Sequence, residues 1–389
     1  MSAQRAIAAD RVFDGSVVHR DAAVLMDGVK VMAVMPRGEL PAGTQVRAFD
    51  GAWLAPGFID LQVNGGGDVL FNDEPTPQGI AKIAAAHRRF GTTGLLPTLI
   101  SDTRQRMQAA LGAVAASIGR EPGLLGIHLE GPFLSPEKPG VHDPAMIRTP
   151  TRQDMALLMG SRDGVTLMTL APECLPTGTV TELVRAGLRV SLGHSNATYA
   201  ETQAAMAEGL TGFTHLFNAM RPMASRDPGP IVAALESANA WFGMIVDGVH
   251  VDPAMLRLAL RGRAHPILVT DAMPPVGGRR SSFKLYGEEM TVRDGRCTRR
   301  DGTLAGACLD MASAVRNAVR LLDVALPVAL RMASANPAEF IGRGHMLGKL
   351  APGYRADFVA FEPQEINVIE TWVAGASSAE AKAAAAAKS

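Results

Sequence analysis

The sequence predicts an α/β chain: a (β/α)8 barrel of the TIM type, with a small β domain formed by the N- and C-terminal segments. Three observations predict it. Eight short apolar runs recur through the middle of the 389 residues, with helical stretches between most of them. Those runs are apolar at successive positions, as parallel strands covered on both faces are. Both ends of the chain carry strand-like runs of their own.

At the N-terminal end, Val24–Met26 precedes Asp27-Gly28, and Lys30–Met35 precedes Pro36. An Asp-Gly between apolar runs is a hairpin signal. At the other end, Asp357–Phe361 and Val368–Trp372 read as strands. The middle offers predicted strands at Gly57–Val63, Gly94–Leu99, Leu124–Leu129, Val165–Leu170, Arg189–Leu192, Gly212–His215, Trp241–Val246 and Pro266–Thr270. Predicted helices lie at Gln78–Arg89, Arg104–Ile118, Arg152–Met159, Val180–Ala186, Tyr199–Glu208, Ile231–Ser237 and Pro253–Arg261. After the eighth strand, Lys284–Cys297 reads as a hairpin insertion, and a helix over Met311–Leu322 resumes the outer layer. A doubly wound open sheet is the alternative. It lacks support, because Asn64–Gly67 leads into no helix as a phosphate-binding glycine loop would. The domains expected are 1–54 with 345–378 for the β unit and 55–344 for the barrel, with an Ala-rich tail over 379–389.

With 47% hydrophobic residues the chain can bury a large core. Its formal net charge is zero, and no basic stripe or polybasic run points to nucleic acid or a membrane surface. No uncharged apolar run reaches the ~18 residues of a membrane span, and the opening Met-Ser-Ala-Gln-Arg lacks a signal-peptide core. Cys174, Cys297 and Cys308 are odd in number and show no CxxC spacing, which suits a reducing cytoplasm.

A barrel builds its chemistry at the C-terminal ends of its strands. The polar residues at those predicted ends are Gln62, Asn64, Thr98, Glu130, His194, His215, Asp247, His250 and Asp271. Glu130, His194 and His215 end three apolar runs. Two imidazoles and a carboxylate are a ligand set for a hydrolytic metal that keeps a position open for water. His128, two residues before Glu130, points the same way and is expected to orient a carboxylate or water. Asp271 ends the eighth run and suits a general base that returns its proton to a leaving group. His142, Arg226, Asp247 and His250 fall on loops after strands, where substrate contacts concentrate. Arg226 suits an anionic group such as phosphate. His19, His87, His265 and His345 stand away from strand ends and read as ordinary structural residues.

The ordered segments APGFIDLQVNG (55–65), GTTGLLPT (91–98), GIHLEGPF (126–133), GVH (140–142), LGHS (192–195), THLFNAM (214–220), RDPG (226–229), DGVH (247–250), TDAM (270–273) and LAG (304–306) span nearly the whole chain. Together they resemble the amidohydrolase superfamily and, within it, the N-acetylglucosamine-6-phosphate deacetylase family. The resemblance implies a distorted barrel with a β-sandwich from both termini. It implies one divalent ion, zinc first with iron, cobalt or manganese also suited, on Glu130, His194 and His215. It implies Asp271 as catalytic acid/base and His142 as the group that polarises the acetyl carbonyl. Val141, Asn218 and Ala219 would contact the sugar phosphate, and Leu304, Ala305 and Gly306 would line its pocket. Arg226 and His250, with Asp247 beside them, would clamp phosphate across a homodimer interface.

Most superfamily members carry His-x-His at the end of strand one for a second metal. Here the position reads Gln62-Val63-Asn64. Neutral amides are poor ligands beside imidazole, so one ion is expected, and Gln62 and Asn64 are left to the substrate. The activity implied is hydrolysis of the acetamide of N-acetyl-D-glucosamine 6-phosphate to D-glucosamine 6-phosphate and acetate. The galactosamine epimer and other amides remain open as substrates. A catalytically dead barrel would have lost ligands or base, and this chain retains both.

Overall fold

A computed structural model describes residues 5–160 and 163–379. The expected tail falls outside the described residues from Glu380 onward. The chain divides into two compact units, one of Leu61–Ala84 and Leu95–Leu309, the other of the residues up to Asp60, Ala85–Gly94 and those from Asp310 onward.

Eight parallel strands make the central sheet: β1 (Phe58–Val63), β2 (Thr92–Ile100), β3 (Gly126–Glu130), β4 (Val165–Leu170), β5 (Arg189–Leu192), β6 (Gly212–Phe213), β7 (Trp241–Met244) and β8 (His265–Leu268). Each neighbours the next in sequence order, from β1 to β8. Past the strand ends, Val63 bridges Ala272 in parallel and Thr270 Oγ1 donates to Gln62 O at 3.3 Å, which brings the two ends of the sheet together. Between strands run α1 (Pro77–Arg88), α2 (Arg104–Ser117), α3 (Arg152–Leu158), α4 (Thr179–Arg185), α5 (Tyr199–Ala207), α6 (Gly229–Glu236) and α7 (Pro253–Ala259). This is the predicted alternation. β2 and β3 are buried along their whole length, which explains their unbroken apolar sequences.

The strand ends are shorter than the apolar runs suggest. β6 stops at Phe213, although the run continues to His215, because His215 adopts a left-handed backbone (φ 31°). β8 likewise stops at Leu268, ahead of Asp271 at φ 51°. Apolarity reports burial, and burial continues past the point where the ladder ends.

The predicted hairpin insertion is larger than expected. Ser282–Leu285, Glu288–Arg293, Arg296–Thr298 and Leu304–Ala307 form a four-stranded antiparallel meander. Its first two turns, Tyr286-Gly287 and Asp294-Gly295, have both residues at positive φ, the geometry that matches the twist of a two-residue hairpin. The small residues of its last strand gave no strand signal. Phe283, Leu285, Met290, Cys297 and Ala305 bury one face of the meander in a cluster with Ile100 and Met273.

In the second unit both ends of the chain share one seven-stranded sheet. Arg5–Phe13 pairs parallel with Gln45–Pro56 and antiparallel with Val18–Asp27. Phe358–Glu362 joins antiparallel beside Gln45–Pro56. Phe358 and Trp372 stack at 4.6 Å between ring centroids within its core. This unit also holds the predicted helix α8 (Met311–Leu322), started by Asp310, whose carboxylate accepts from Ser313 N at 2.8 Å. Among the described residues, no helix is long and apolar enough to cross a membrane.

A buried carboxylate fixes the long loop between β3 and α3. Asp154 and Thr151 form a reciprocal cap at the start of α3. Asp154 also accepts from Arg104 Nε at 2.9 Å and Arg148 Nη2 at 3.3 Å, while Arg148 Nη1 reaches Asp102 O at 3.0 Å. Burial alone would raise the Asp154 carboxyl. The Arg104 and Thr151 hydrogen bonds outweigh it and hold the group well below the usual range. A depressed carboxylate stabilises the fold above its ordinary pKa, and that contribution fades as pH falls. Asp154→Ala is expected to cost about 3 kcal/mol at neutral pH, from the lost cap and charged hydrogen bonds. The gap to wild type in denaturant titrations should shrink below about pH 4. A constant gap down to pH 3 would show that the charge of Asp154 contributes nothing.

Candidate active site

Glu130 is the last residue of β3, and His194 and His215 each lie two residues beyond β5 and β6. All three are buried, and their ligand atoms lie within 4.8 Å of one another. His194 Nε2 stands 3.2 Å from Glu130 Oε1 and 3.1 Å from His215 Nε2, and His215 Nε2 stands 2.9 Å from the same oxygen. His194 Nδ1 faces Lys138 O at 3.0 Å. A carbonyl only accepts, so the His194 proton sits on Nδ1 and a lone pair on Nε2 faces the cluster. Burial would raise the Glu130 carboxyl, but the His194 and His215 imidazoles beside it pull it well below its usual range. The result is an ionised carboxylate and an imidazole lone pair crowded in a dry site. A divalent cation relieves that crowding, and an N, N, O donor set fits one.

Asp271 follows the end of β8. Its Oδ1 accepts from Asn64 Nδ2 at 2.6 Å and from Gln62 Nε2 at 3.0 Å. Gln62 Nε2 also contacts both Glu130 oxygens at 3.3 Å. Burial, then the nearby Glu130 charge, push Asp271 up to about 6. Asn64 Oδ1 is buried without a hydrogen-bond partner.

His142 lies on the long loop after β3. Its Nδ1 accepts from the backbone N–H of Ser101 at 3.2 Å and contacts Ser101 Oγ at 2.7 Å. A backbone N–H only donates, so the His142 proton sits on Nε2. Burial, then His194, keep the ring neutral by lowering its pKa well below the usual range. His142 is thus a neutral N–H donor beside the cluster, its ring 4.4 Å from that of His194.

These groups line one cavity of about 230 Å³. Of the residues singled out in the sequence, Asn64, Glu130, Val141, His142, His194, His215, Asn218, Ala219, His250, Asp271, Leu304 and Gly306 are on its wall. Gln62 and Ala305 are buried but off the wall. Asp247 is also off it: its carboxylate accepts from Val249 N and His250 N, and contacts His250 Nδ1 at 2.6 Å. Asp247 thus supports His250, which is on the wall. Arg226 is exposed on its loop and is not on the wall. His128 differs from expectation. It contacts Thr98 Oγ1 at 3.2 Å and Thr169 Oγ1 at 2.7 Å, not a carboxylate, and burial lowers its pKa to about 4. Two hydroxyls in reach of its ring satisfy both nitrogens.

Sequence reasoning missed Ile100, Gly140, Ile245, Met273 and Thr303, which also line the cavity. The apolar three look like ordinary core in a sequence. Gly140 carried a signal, standing beside His142 in GVH. Its φ is 56°, and a Cβ there would stand 2.9 Å from His194 Cε1.

A family model, Amidohydrolase family, matches residues 53–383. The chain belongs to the amidohydrolase family. Among its relatives, N-acetylgalactosamine-6-phosphate deacetylase of Shewanella sp. (strain ANA-3) is 44% identical over 330 residues, covering 83% of this chain and 82% of that one. N-acetylglucosamine-6-phosphate deacetylase of Haemophilus influenzae is 36% identical over 362 residues, covering 92% and 95%. The crystal structure of N-acetylglucosamine-6-phosphate deacetylase from Pasteurella multocida superposes with a TM-score of 0.92 at 36% identity, covering 96% and 99%. A mutant of the Mycobacterium smegmatis deacetylase, in complex with N-acetyl-D-glucosamine-6-phosphate, gives 0.87 at 32% identity over 97% and 99%.

The geometry makes the cation site testable without turnover. His194→Ala should abolish bound divalent metal in elemental analysis of the purified amidohydrolase. Gly140→Ala should lower it, because the new methyl displaces the His194 ring. Full metal content in His194→Ala would remove that residue from the ligand set.

Proposed function

We propose that this protein is a metal-dependent sugar-phosphate deacetylase that hydrolyses the acetamide of N-acetyl-D-glucosamine 6-phosphate, giving D-glucosamine 6-phosphate and acetate. One observation carries the reading: a cation-binding cluster, a buried carboxylate with a raised pKa and a neutral imidazole N–H donor share one cavity. Amide hydrolysis needs those three functions together. Glu130, His194 and His215 would hold one ion, zinc being the best match to the donors. When bound it supplies Lewis acidity, which acidifies water and polarises a carbonyl.

The chain's own residues do the rest. Asp271 takes the proton of the attacking water. Oδ1 is occupied by Gln62 and Asn64, so the transfer uses Oδ2. His142 donates from Nε2 to the acetyl oxygen as negative charge develops there. Asp271 then gives its proton to the departing amine nitrogen. Asn218, Ala219 and the strand Leu304–Ala307 enclose the sugar, and His250, aimed by Asp247, faces the phosphate. Arg226, exposed on its loop, would complete the phosphate site of a second copy in a homodimer. The free thiols Cys174, Cys297 and Cys308 fit a cytoplasmic enzyme.

The galacto epimer is the second reading, favoured by the 44% identity to the Shewanella N-acetylgalactosamine-6-phosphate deacetylase. Both sugars carry the same phosphate and acetamide, so the shared chemistry does not separate them. Acetate release measured on both epimers decides: a higher kcat/KM on the gluco substrate is expected, and the reverse order would reassign the substrate.

Three further outcomes follow from the roles. Asp271→Asn should keep its metal while kcat falls by roughly a thousandfold; wild-type turnover in that variant would remove the base. Ionised Asp271 is the active form, so activity declines as pH falls. Asp271 stands raised to about 6, and a bound cation would bring it down from there, which places the acidic limb of kcat at or below about 6. A limb centred above 7 would assign the titration to another group. Arg226→Ala should raise KM with little change in kcat, and only while the protein is dimeric by ultracentrifugation.

A further inference from the structure

Tyr286 stands at the first turn of the meander, at φ 51° beside Gly287. It is not on the cavity wall. Its hydroxyl donates to Ser101 O at 2.6 Å. The backbone of Asp143 lies beside the same oxygen. Ser101 and Asp143 lie on either side of His142: Ser101 holds His142 Nδ1 from the end of β2, and Asp143 is the next residue on the loop. One phenol therefore holds the backbone of the residue that hydrogen-bonds the His142 ring, beside the loop that carries His142. Burial raises the phenol well above its ordinary value, so it stays a donor. The Tyr286 ring packs on the cluster of Phe283, Leu285, Met290 and Cys297, which gives the oxygen a rigid base.

We propose that Tyr286 is a positioning residue for the reaction: its hydroxyl fixes the Ser101–His142 pair so that His142 presents Nε2–H to the substrate carbonyl. The inference rests on the reading of His142 as the carbonyl donor. It gives the four-stranded insertion a task in catalysis that substrate contact does not require. A lone imidazole on a long loop can rotate and exchange its tautomer. Fixing Ser101, which holds Nδ1, restricts that freedom, and misplacement of a catalytic group by about 1 Å costs roughly a hundredfold in rate.

Tyr286→Phe keeps the ring and its packing and removes only the oxygen. The expected result is a kcat reduced roughly tenfold or more, with KM within about twofold and metal content unchanged. In a His142→Ala background the same change should produce no further loss, because the two act through one group. Equal losses in both backgrounds, or a Tyr286→Phe enzyme with wild-type kcat, would overturn the proposal. An independent readout needs no substrate. Nitrogen-15 NMR of histidine-labelled, metal-loaded protein should show His142 as the Nε2–H form in wild type and a mixture in Tyr286→Phe. An unchanged His142 signal would overturn the clamp. If the wild type releases acetate from neither sugar phosphate, the functional reading fails while the tautomer result still judges Tyr286.

Discussion

The structure depends on one buried negative charge. Glu130 has almost no exposed surface, and an isolated ionised carboxylate in such a place is strongly disfavoured. It stays charged because His194, His215 and Gln62 all converge on it. Each partner is contributed by a different strand end, so the charge can be satisfied only when the sheet closes with β1, β3, β5 and β6 in register. Thr169 pairs with Glu130 on one side and with Ser191 on the other, which sets those ends level. The charge thus ties folding of the rim to assembly of the site. It also raises Asp271 nearby, so one carboxylate kept ionised makes a better base of another.

The rim is strained where it matters. His194, His215 and Asp271 all have left-handed backbones, at φ 49°, 31° and 51°, as do Phe217 and Ala219. Non-glycine residues reach this region at a cost of order 1 kcal/mol or more each. Hydrogen bonds between loops hold them there. Ser195 N donates to Ala219 O and Arg221 N to Ser195 O, stitching the loop after β5 to the loop after β6. Beneath them Glu173 accepts from Ser195 Oγ and Asn196 N. The strain turns side chains inward at points where a continued strand would have sent the next residue to the opposite face.

Much of this was legible in the residues, for identifiable reasons. Continuous apolar runs mark strands buried on both faces, so β4 and β5 match their predicted spans, Val165–Leu170 and Arg189–Leu192. The predicted helices Arg152–Met159 and Tyr199–Glu208 begin where α3 and α5 do, and the structure shows Thr151 and Thr198 capping them. Charged and imidazole side chains ending apolar runs pointed to Glu130, His194, His215 and Asp271, because such groups are seldom buried without a task. Less visible were features set by three-dimensional neighbours. The strand Leu304–Ala307 is Leu-Ala-Gly-Ala and has no strand signature; its place comes from pairing with Arg296–Thr298. His128 has the right position for a polar role, yet it meets Thr98 and Thr169, residues 30 and 41 positions away. Asp247 reads as a ligand contact, and its carboxylate is found on the ring and backbone of His250. No spacing rule shows which polar residue touches the ligand and which holds the one that does.

That distinction bears on how the site tolerates change. Residues on the cavity wall are placed to meet a ligand directly, and their loss would be felt in binding or chemistry. Asp247 and Ser101 stand one step back, each through hydrogen bonds to a single histidine, and Tyr286 reaches its histidine through Ser101. Outer partners of this kind set the tautomer and angle of the inner group. The amides of Gln62 and Asn64 do the same for Asp271 at the position where a second cation would need imidazoles. With both amide N–H groups directed at Oδ1, the carboxylate is held with its other oxygen unencumbered. A second cation there would draw both oxygens into coordination and take away the base. In the proposed mechanism the neutral pair at residues 62 and 64 is therefore the local condition for Asp271 to move a proton.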